Sequence, residues 1–360
     1  MSDRIYRAIG LMSGTSMDGI DVAAIETDGV TVGWTARAMT EPYPADLRTR
    51  LADAIRHPDR DWSGLEVELT DRHAAAVTRY IATLPEEKRQ IDLVGFHGHT
   101  LLHRPERHYT RQLGDGDRLA RALGIDTVFD FRSSDVAAGG EGAPFAPVYH
   151  RALAVGGAQP VVFVNIGGVS NITYVDGQEM LAFDTGPGNA LIDDWVSARA
   201  QLAYDEGGAI AARGKVVPER LERLLDNAYF ARKPPKSLDR QDFSTEAVEG
   251  LSLEDGAATL TAFTAQAIAR SLDHLPATPK RWLITGGGRL NATLMQRLED
   301  ALPGTVAAIE AIGADGDGLE AQAFAFMAVR SVLGLPISFP GTTGVPEPMR
   351  GGRLARARAA

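Results

Sequence analysis

The chain has 360 residues, 44% of them hydrophobic and 23% charged, a balance that supports folded domains and excludes an intrinsically disordered protein. That length is more than one hydrophobic core ordinarily serves, so two domains are expected. Thirty-seven Lys and Arg against 47 Asp and Glu leave a net charge of −10, which argues against duplex nucleic acid as a partner, and the lack of cysteine removes disulfides, thiolate metal sites and cysteine nucleophiles.

The first residues run into an apolar segment with no signal-like core. Residues 8–21 then set a polar centre between two apolar runs, which reads as a tight loop joining two strands. In that loop Gly14 and Gly19 allow the backbone to approach a ligand, and Ser13, Thr15 and Ser16 offer hydroxyls. Asp18 and Asp21 offer carboxylates able to hold a hydrated cation. Taken alone, such a loop also serves as an ordinary hairpin turn. Asp28-Gly29 turns the chain into a third strand from Val30.

Helical spacing covers 45–55 and 65–84, the second ended by Pro85. A buried strand at 91–96 runs into His97-Gly98-His99-Thr100, and a helix at 117–123, capped by Gly124, precedes a strand at 125–129. The strand ends carry His97, His99, Asp130 and Arg132, where functional groups of α/β sheets collect. Two histidines two apart on extended chain would point to one face, as zinc ligands do, but no cysteine or carboxylate lies close by in sequence. Hydrogen bonding to a polar substrate and plain structural burial are the other readings. Arg132 could pair with Asp130 or Asp135, or bind a substrate carboxylate.

The glycine-rich stretch 139–144 reads as a connector. It separates a first domain, 1–138 joined by 335–360, from a second, 139–334. The second opens with a helix at 147–155 and then repeats the first pattern: strand 161–166, small polar loop 167–171, strand 172–175, an Asp176-Gly177 turn, and a third strand to Phe183. The repeat implies two similar domains facing each other. Asp184 follows at the third strand's end, ahead of a helix at 190–202, where helix-entry amides suit an anionic transition state. Capping that helix is the plainer role. Helices at 218–228 and 257–275, separated by a loop holding Pro234-Pro235-Lys236, lead to a strand at 281–285, the triple glycine Gly286-Gly287-Gly288, and Asn291 opening a helix at 292–302. Asp315-Gly316-Asp317-Gly318-Leu319-Glu320 could cap the last helix, 321–333. The most apolar run, 321–339, is broken by Arg330 and Gly334-Leu335-Pro336, so no membrane span is expected and a cytoplasmic protein is. The basic tail, Arg350 to Arg358, reads as a frayed end.

Glycine loops at Gly14, Gly168 and Gly286 fit a nucleotide lying between two domains, two loops on the phosphates and the third on base and ribose. Neither a lysine-bearing P-loop nor a Gly-x-Gly-x-x-Gly fingerprint is present. This order resembles the actin-like ATPase superfamily: an α/β protein of two ribonuclease H-like domains with an interdomain cleft.

More specifically, Gly10-Leu11-Met12-Ser13-Gly14-Thr15-Ser16-Met17-Asp18-Gly19-Ile20-Asp21 resembles the opening signature of the anhydro-N-acetylmuramic acid kinases. The likeness continues in Phe96-His97-Gly98-His99-Thr100, Asp130-Phe131-Arg132-Ser133-Ser134-Asp135, Asn165-Ile166-Gly167-Gly168-Val169-Ser170-Asn171, Phe183-Asp184-Thr185-Gly186-Pro187-Gly188-Asn189 and Thr285-Gly286-Gly287-Gly288. His99 stands where glutamine is expected, and Glu141 and Phe145-Ala146 depart from the usual pattern.

The resemblance implies an ATP- and Mg2+-dependent enzyme of peptidoglycan recycling, which opens the 1,6-anhydro ring of an amino sugar with water and phosphorylates the freed 6-oxygen. It implies Asp184 as general base and Glu320 as a group that positions the water or the sugar. Nucleotide and phosphates would meet Ser13, Gly14, Thr15, Ser16, Met17, Asp18, Gly19, Asn165, Gly167, Gly168, Gly186, Gly188, Asn189, Gly286, Gly287, Gly288 and Asn291. His97, His99 and Arg132 would hold the sugar, and Mg2+ would sit near Asp18 through water. A homodimer is compatible with this reading. Another actin-like sugar or carboxylate kinase, or a nucleotide-gated binding protein of the same fold, are the alternatives.

Overall fold

A computed structural model describes residues 4–14, 17–238 and 242–357. Their contacts divide the chain into two units, 1–155 with 317–360, and 156–316.

In the first unit, β1 (Tyr6–Ser13) and β2 (Gly19–Thr27) pair antiparallel, Leu11 opposite Val22, and bury their apolar runs. The Asp28-Gly29 turn forms because the Asp28 carboxylate accepts the N–H groups of Val30 and Thr31 at 2.8 and 2.7 Å. Then β3 (Val32–Thr35) and β4 (Met39–Pro42) both pair with β2. Helix α1 (Ala45–Arg56) buries Leu47, Leu51 and Ala54, and α2 (Ser63–Thr83) buries Leu65, Leu69, Ala76, Val77 and Tyr80, the spacing of one helical face. These side chains pack on Ile9, Leu11, Ile20, Val22, Val94 and Phe96 of the sheet.

Strand β5 (Leu93–Arg104) lies parallel to β1 and runs well past the 91–96 expected. Its second half folds back on β6 (Tyr109–Leu113), a hairpin whose turn carries no glycine and is closed by His108 in the left-handed region. Helix α3 (Gly116–Leu123) is capped by the Asp115 side chain, which accepts Arg118 N–H, and ends at Gly124. Strand β7 (Thr127–Phe129) joins β5 in parallel, followed by α4 (Ser133–Ala137) and α5 (Ala146–Leu153).

The second unit begins with β8 (Val161–Ile166), β9 (Val169–Asp176) and β10 (Glu179–Pro187), an antiparallel meander. The polar loop between β8 and β9 is only Gly167-Gly168, because Val169 to Asn171 already pair in the ladder. Helices α6 (Ala190–Ala200), α7 (Pro218–Leu225) and α8 (Leu253–Ala269) pack Trp195, Val196, Leu224, Leu260 and Phe263 into one core. Strand β11 (Arg281–Thr285), α9 (Ala292–Ala301) and β12 (Thr305–Ala308) complete a second core around Val164, Ile172, Trp282, Ile284 and Leu298.

The chain then returns to the first unit as α10 (Leu319–Val332), α11 (Pro340–Thr343) and β13 (Arg353–Ala355), the last pairing with β7. The two sheets follow one path. β3-β2-β1-β5-β7 and β10-β9-β8-β11-β12 each run through two antiparallel pairings and then two parallel ones. The repeat seen in the sequence is therefore a repeat of topology.

The division differs from the boundaries of 138 and 334 read from the sequence, because α5 and α10 both belong to the first unit. Gly10 and Gly95, partners across β1 and β5, account for α10. A Cβ on Gly10 would lie 1.7 Å from the Ala321 carbonyl oxygen, and one on Gly95 2.2 Å from that of Phe324, so the helix backbone rests directly on the sheet. The Tyr149 hydroxyl ties α5 to Gln322 of the same helix at 2.9 Å.

Candidate active site

The loop leaving β1 is fixed from both ends. The buried Ser13 hydroxyl lies 2.7 Å from the Tyr43 hydroxyl and 2.9 Å from His99 Nδ1. Gly14 accepts Met17 N–H at 3.1 Å, with Met17 left-handed at φ 56, and Asp18 accepts Gly19 N–H at 3.0 Å. Thr15 and Ser16 lie outside the described residues. Asp21 accepts the Thr40 hydroxyl at 2.6 Å, and burial, then Asp18 and Asp317, raise its carboxyl above the usual range. Glu320 stands in the first turn of α10, behind Gly318 at the N-cap. Crowding by protein and then the Asp21 carboxylate push its pKa up, with Arg132 pulling the other way. Asp18, Asp21, Glu320 and Arg132 thus share one electrostatic neighbourhood in the first unit.

The two histidines of β5 do not share a face. Leu11 opposes Phe96 and Ser13 opposes His99, so Met12 alone faces His97 and Gly98, and Gly98 takes φ +74 in this bulge. The bulge sends His97 to the α10 side, its ring centroid 4.6 Å from that of Phe324, and His99 to the opposite side with Ser13 and Tyr43. One-face zinc ligation is thereby excluded for this pair, and among the described residues no cluster of three or more His, Asp or Glu is placed to hold a metal. His97 donates from Nδ1 to the Gly98 carbonyl at 2.9 Å and accepts Arg132 Nε and Nη2 at Nε2. Burial and then the guanidinium hold it well below the usual imidazole range. His99 is 0% exposed and held down to about 4 by burial, and among the described residues of the loop it is Ser13 that it meets.

Arg132 also donates from Nη1 to the Gly142 carbonyl, and its guanidinium lies 5.6 Å from the Phe145 ring centroid. Burial lowers it to about 10. Neither nearby aspartate takes it: Asp130 accepts the Ser133 hydroxyl at 2.5 Å, and Asp135 accepts Gly142 N–H and the Thr343 hydroxyl. Among the described residues, one N–H on each terminal nitrogen of Arg132 has no hydrogen-bond partner. Two of the departures from the family pattern find roles here. Phe145 lies beside the guanidinium, and Glu141 acts through its backbone, donating to Thr343 and accepting from His103.

In the second unit the glycine loops come together. Gly188 and Ala190 donate to the Gly168 carbonyl at 2.9 and 3.2 Å, Asn189 N–H donates to Gly167 at 2.7 Å, and Asn189 Nδ2 to Ile166 at 3.1 Å. A Cβ on Gly286 would meet Asn165 Oδ1 at 2.5 Å, one on Gly288 the Ile166 side chain at 2.5 Å, and one on Gly186 the Ala267 side chain at 2.9 Å. Those glycines are required by the protein's own packing. Gly167, Gly168 and Gly287 are not: a Cβ at any of them would meet nothing nearer than 3.7 Å. Asn291 caps α9, its side chain accepting Leu294 N–H at 2.9 Å, and Gly208 packs against it.

Asp184 lies inside β10 rather than at its end. Its Oδ2 accepts Leu238 N–H at 2.8 Å, its own N–H donates to the Lys236 carbonyl at 3.1 Å, and its carbonyl accepts the Tyr229 hydroxyl at 2.6 Å. It caps no helix, since α6 starts at Asn189 without a side-chain cap. Burial raises its carboxyl to about 6 against the lowering effect of the Leu238 N–H. The stretch from Tyr229 to Leu238 that holds Asp184 was read from the sequence only as a loop following the helix at 218–228. Its apolar residues Tyr229, Phe230 and Leu238 were the available signal that it packs.

Two sheets of one strand order, each with a glycine loop after its first strand, define a two-domain actin-like ATPase fold of the sugar-kinase kind. The sequence matches the anhydro-N-acetylmuramic acid kinase family over residues 6–356. Relatives of that name are 52% identical in Rhizorhabdus wittichii, over 96% of this chain and 97% of the relative; 51% in Acidiphilium cryptum, over 97% and 98%; and 50% in Rhodospirillum rubrum, over 98% and 94%. The chain belongs to the anhydro-N-acetylmuramic acid kinase family, and it is a phosphotransferase that uses ATP. No helix among the described residues is long and apolar enough to cross a membrane.

Proposed function

We propose that this cytoplasmic enzyme of peptidoglycan recycling opens the 1,6-anhydro ring of anhydro-N-acetylmuramic acid with water and transfers the γ-phosphoryl group of ATP to the freed 6-oxygen. The product is N-acetylmuramic acid 6-phosphate. The observation that carries the proposal is the Asp184 carboxyl, raised to about 6, with one oxygen bonded to Leu238 and the other without a protein partner among the described residues. A base with that pKa is ionised at neutral pH and still basic enough to accept a proton in the transition state.

Water is a weak nucleophile toward an anomeric carbon, so Asp184 takes its proton as the new bond to C1 forms. The C1–O6 bond breaks, O6 attacks the γ-phosphorus, and ADP leaves with the electron pair of the cleaved P–O bond. The oxygen expelled from the sugar therefore receives a phosphoryl group in place of a proton. Arg132, held in its plane by His97 and the Gly142 carbonyl, offers its two remaining N–H groups to the lactyl carboxylate. Glu320 orients the water or a sugar hydroxyl.

The open backbone at Gly167, Gly168 and Gly287 fits a nucleotide: side chains are absent there although the protein itself leaves room for them. Asn165, Asn189 and the glycines around them would line that ligand, and Ser13, Gly14, Met17, Asp18 and Gly19 would meet phosphates. Asp18 and Asp21 supply the oxygen donors a hard cation prefers, and Asp18 would hold Mg2+ through water. When bound, Mg2+ neutralises charge on the transferred phosphoryl group.

The test is to mix the purified protein with ATP, Mg2+ and the anhydro-sugar and follow products by phosphorus NMR and a reducing-sugar assay. A phosphorylated reducing sugar formed one-to-one with ADP is expected. ADP with inorganic phosphate, or a phosphorylated sugar that is not reducing, overturns the proposal.

A further inference from the structure

Among the described residues, every polar group of Asp184 with a partner outside the β-ladder takes it from one short segment. Its carbonyl is bonded by Tyr229, its N–H by Lys236 and its Oδ2 by Leu238. Under this segment sits the Lys236 side chain, with the residue only 7% exposed. Its ammonium lies 3.4 Å from the carbonyl oxygens of both Tyr229 and Phe230 and 3.3 Å from His274 Nε2. The ring centroids of Tyr229 and Phe183 stand 4.8 and 5.5 Å away. Phe183 is the residue before Asp184.

No carboxylate pairs with this ammonium among the described residues. A buried cation without a counterion costs stability unless carbonyl dipoles and aromatic faces replace its water. Here they do, and the replacement draws two carbonyls near the start of the segment toward a side chain near its end. We propose that Lys236 is a positioning residue of the reaction: its ammonium closes the segment 229–238 on itself and against Phe183, and so fixes the Leu238 N–H that holds the Asp184 carboxylate. This inference rests on Asp184 being the base.

The ammonium acts through geometry: its hydrogen-bonding neighbours are two backbone carbonyls and His274, none of them an atom of Asp184. His274 Nε2 also stands 3.1 Å from the Phe230 carbonyl, and it cannot donate there while accepting from the ammonium. A charged Lys236 thus selects the His274 tautomer protonated at Nδ1, and a neutral one frees Nε2–H for Phe230. Among the described residues, the other ionisable groups facing the cluster are Tyr229, Arg232, Arg270 over the Phe230 ring and, acting on Tyr229, Asp184 and Asp242. Burial and then Arg232 lower the Lys236 ammonium to about 8. The clamp loosens as pH rises through that value.

The test uses the full-length enzyme with Lys236→Met and Lys236→Arg, each measured for kcat, both KM values and the pH profile, beside Asp184→Asn as a separate control on the base itself. Lys236→Met is expected to lower kcat by about 10²-fold, the loss typical of a misplaced catalytic group. It should also move the acid limb of kcat/KM upward, because the Leu238 N–H that favours the ionised base is no longer held. The KM for ATP should stay within about twofold. Lys236→Arg, which does not lose its proton, should recover kcat and push the alkaline limb to higher pH. In the wild-type protein the Leu238 amide proton should shift with an apparent pKa near that of Lys236, a reading available even if Lys236→Met fails to fold. A folded Lys236→Met enzyme with unchanged kcat and acid limb, or a Leu238 amide indifferent to alkaline pH, overturns the proposal. An active Asp184→Asn enzyme would instead overturn the assignment of the base.

Discussion

Arg132 directs two N–H groups, Nε at 3.1 Å and Nη2 at 2.9 Å, at the single lone pair of His97 Nε2. The histidine proton must then sit on Nδ1, where the Gly98 carbonyl accepts it, and the imidazole is neutral. His97 consequently has no polar atom left for a sugar. It orients the guanidinium proposed to bind the sugar's carboxylate.

Replacing His97 by Phe keeps an aromatic ring against Phe324 and removes the acceptor. The KM for the anhydro-sugar is expected to rise roughly tenfold or more while that for ATP changes by less than about twofold. Steady-state kinetics with each substrate varied in turn checks this, and equal changes in both KM values would count against the orienting role.

The glycines divide into those the protein needs and those it does not. A Cβ at Gly188 would sit 2.3 Å from the Gly167 carbonyl oxygen, so Gly188→Ala should lower stability by about 3 kcal/mol or prevent folding. Gly287→Ala has room, and Gly287 has no positive φ, so the variant should melt within about a degree or two of wild type. Its ATP affinity should nevertheless fall about tenfold or more, as a methyl group enters the space proposed for the nucleotide. Calorimetric titration with ATP and thermal melts separate the two effects.

The same reasoning applies to Gly10. Its missing Cβ is what lets α10 lie on β1, and α10 carries Glu320. Gly10→Ala should therefore destabilise the first unit by about 3 kcal/mol or more, measured by denaturant unfolding.

Much of this architecture was legible in the sequence. The strand, glycine loop, strand, Asp-Gly turn, strand pattern repeats in the same order, though its first loop is longer, and the two sheets share one strand order. The β5–β6 hairpin was not legible, because its turn uses Pro105 and a left-handed His108 where a glycine signal was sought. The opposed histidines were missed for a related reason: alternation along a strand puts His97 and His99 on one face, and only the bulge at Gly98 reverses one of them. The domain division could not be read because the segment 139–144 looks like a linker in composition, yet its Gly142 N–H is bound by the buried Asp135 carboxylate of the first unit. Asp184 stands in a motif that carries the family resemblance, while the segment 229–238 that holds it has no motif of its own.

The ionisations set a pH dependence with two signs. Asp184 has a folded pKa of about 6, above its ordinary 3.8, so the folded state holds the proton more tightly than the unfolded chain. Its contribution to stability is complete below the lower value and is lost as pH rises through the higher one, a loss of roughly 3 kcal/mol. Asp184→Asn should therefore melt above wild type at pH 8 and level with it near pH 4. His73 and His99 run the other way. Burial lowers both to about 4, so the stability they contribute is present above the ordinary histidine value of 6.5 and lost as pH falls from there toward 4. Urea midpoints measured across this range should fall toward acid, and His99→Gln should make that fall shallower.

The most direct measurement is the turnover of Asp184→Asn with the anhydro-sugar and ATP, alongside its ATP affinity. If Asp184 removes the proton from the attacking water, turnover drops by about 10³-fold or more while ATP binds within about threefold of wild type. Turnover close to that of the unaltered enzyme, with the ring still opened and the 6-oxygen still phosphorylated, would contradict it.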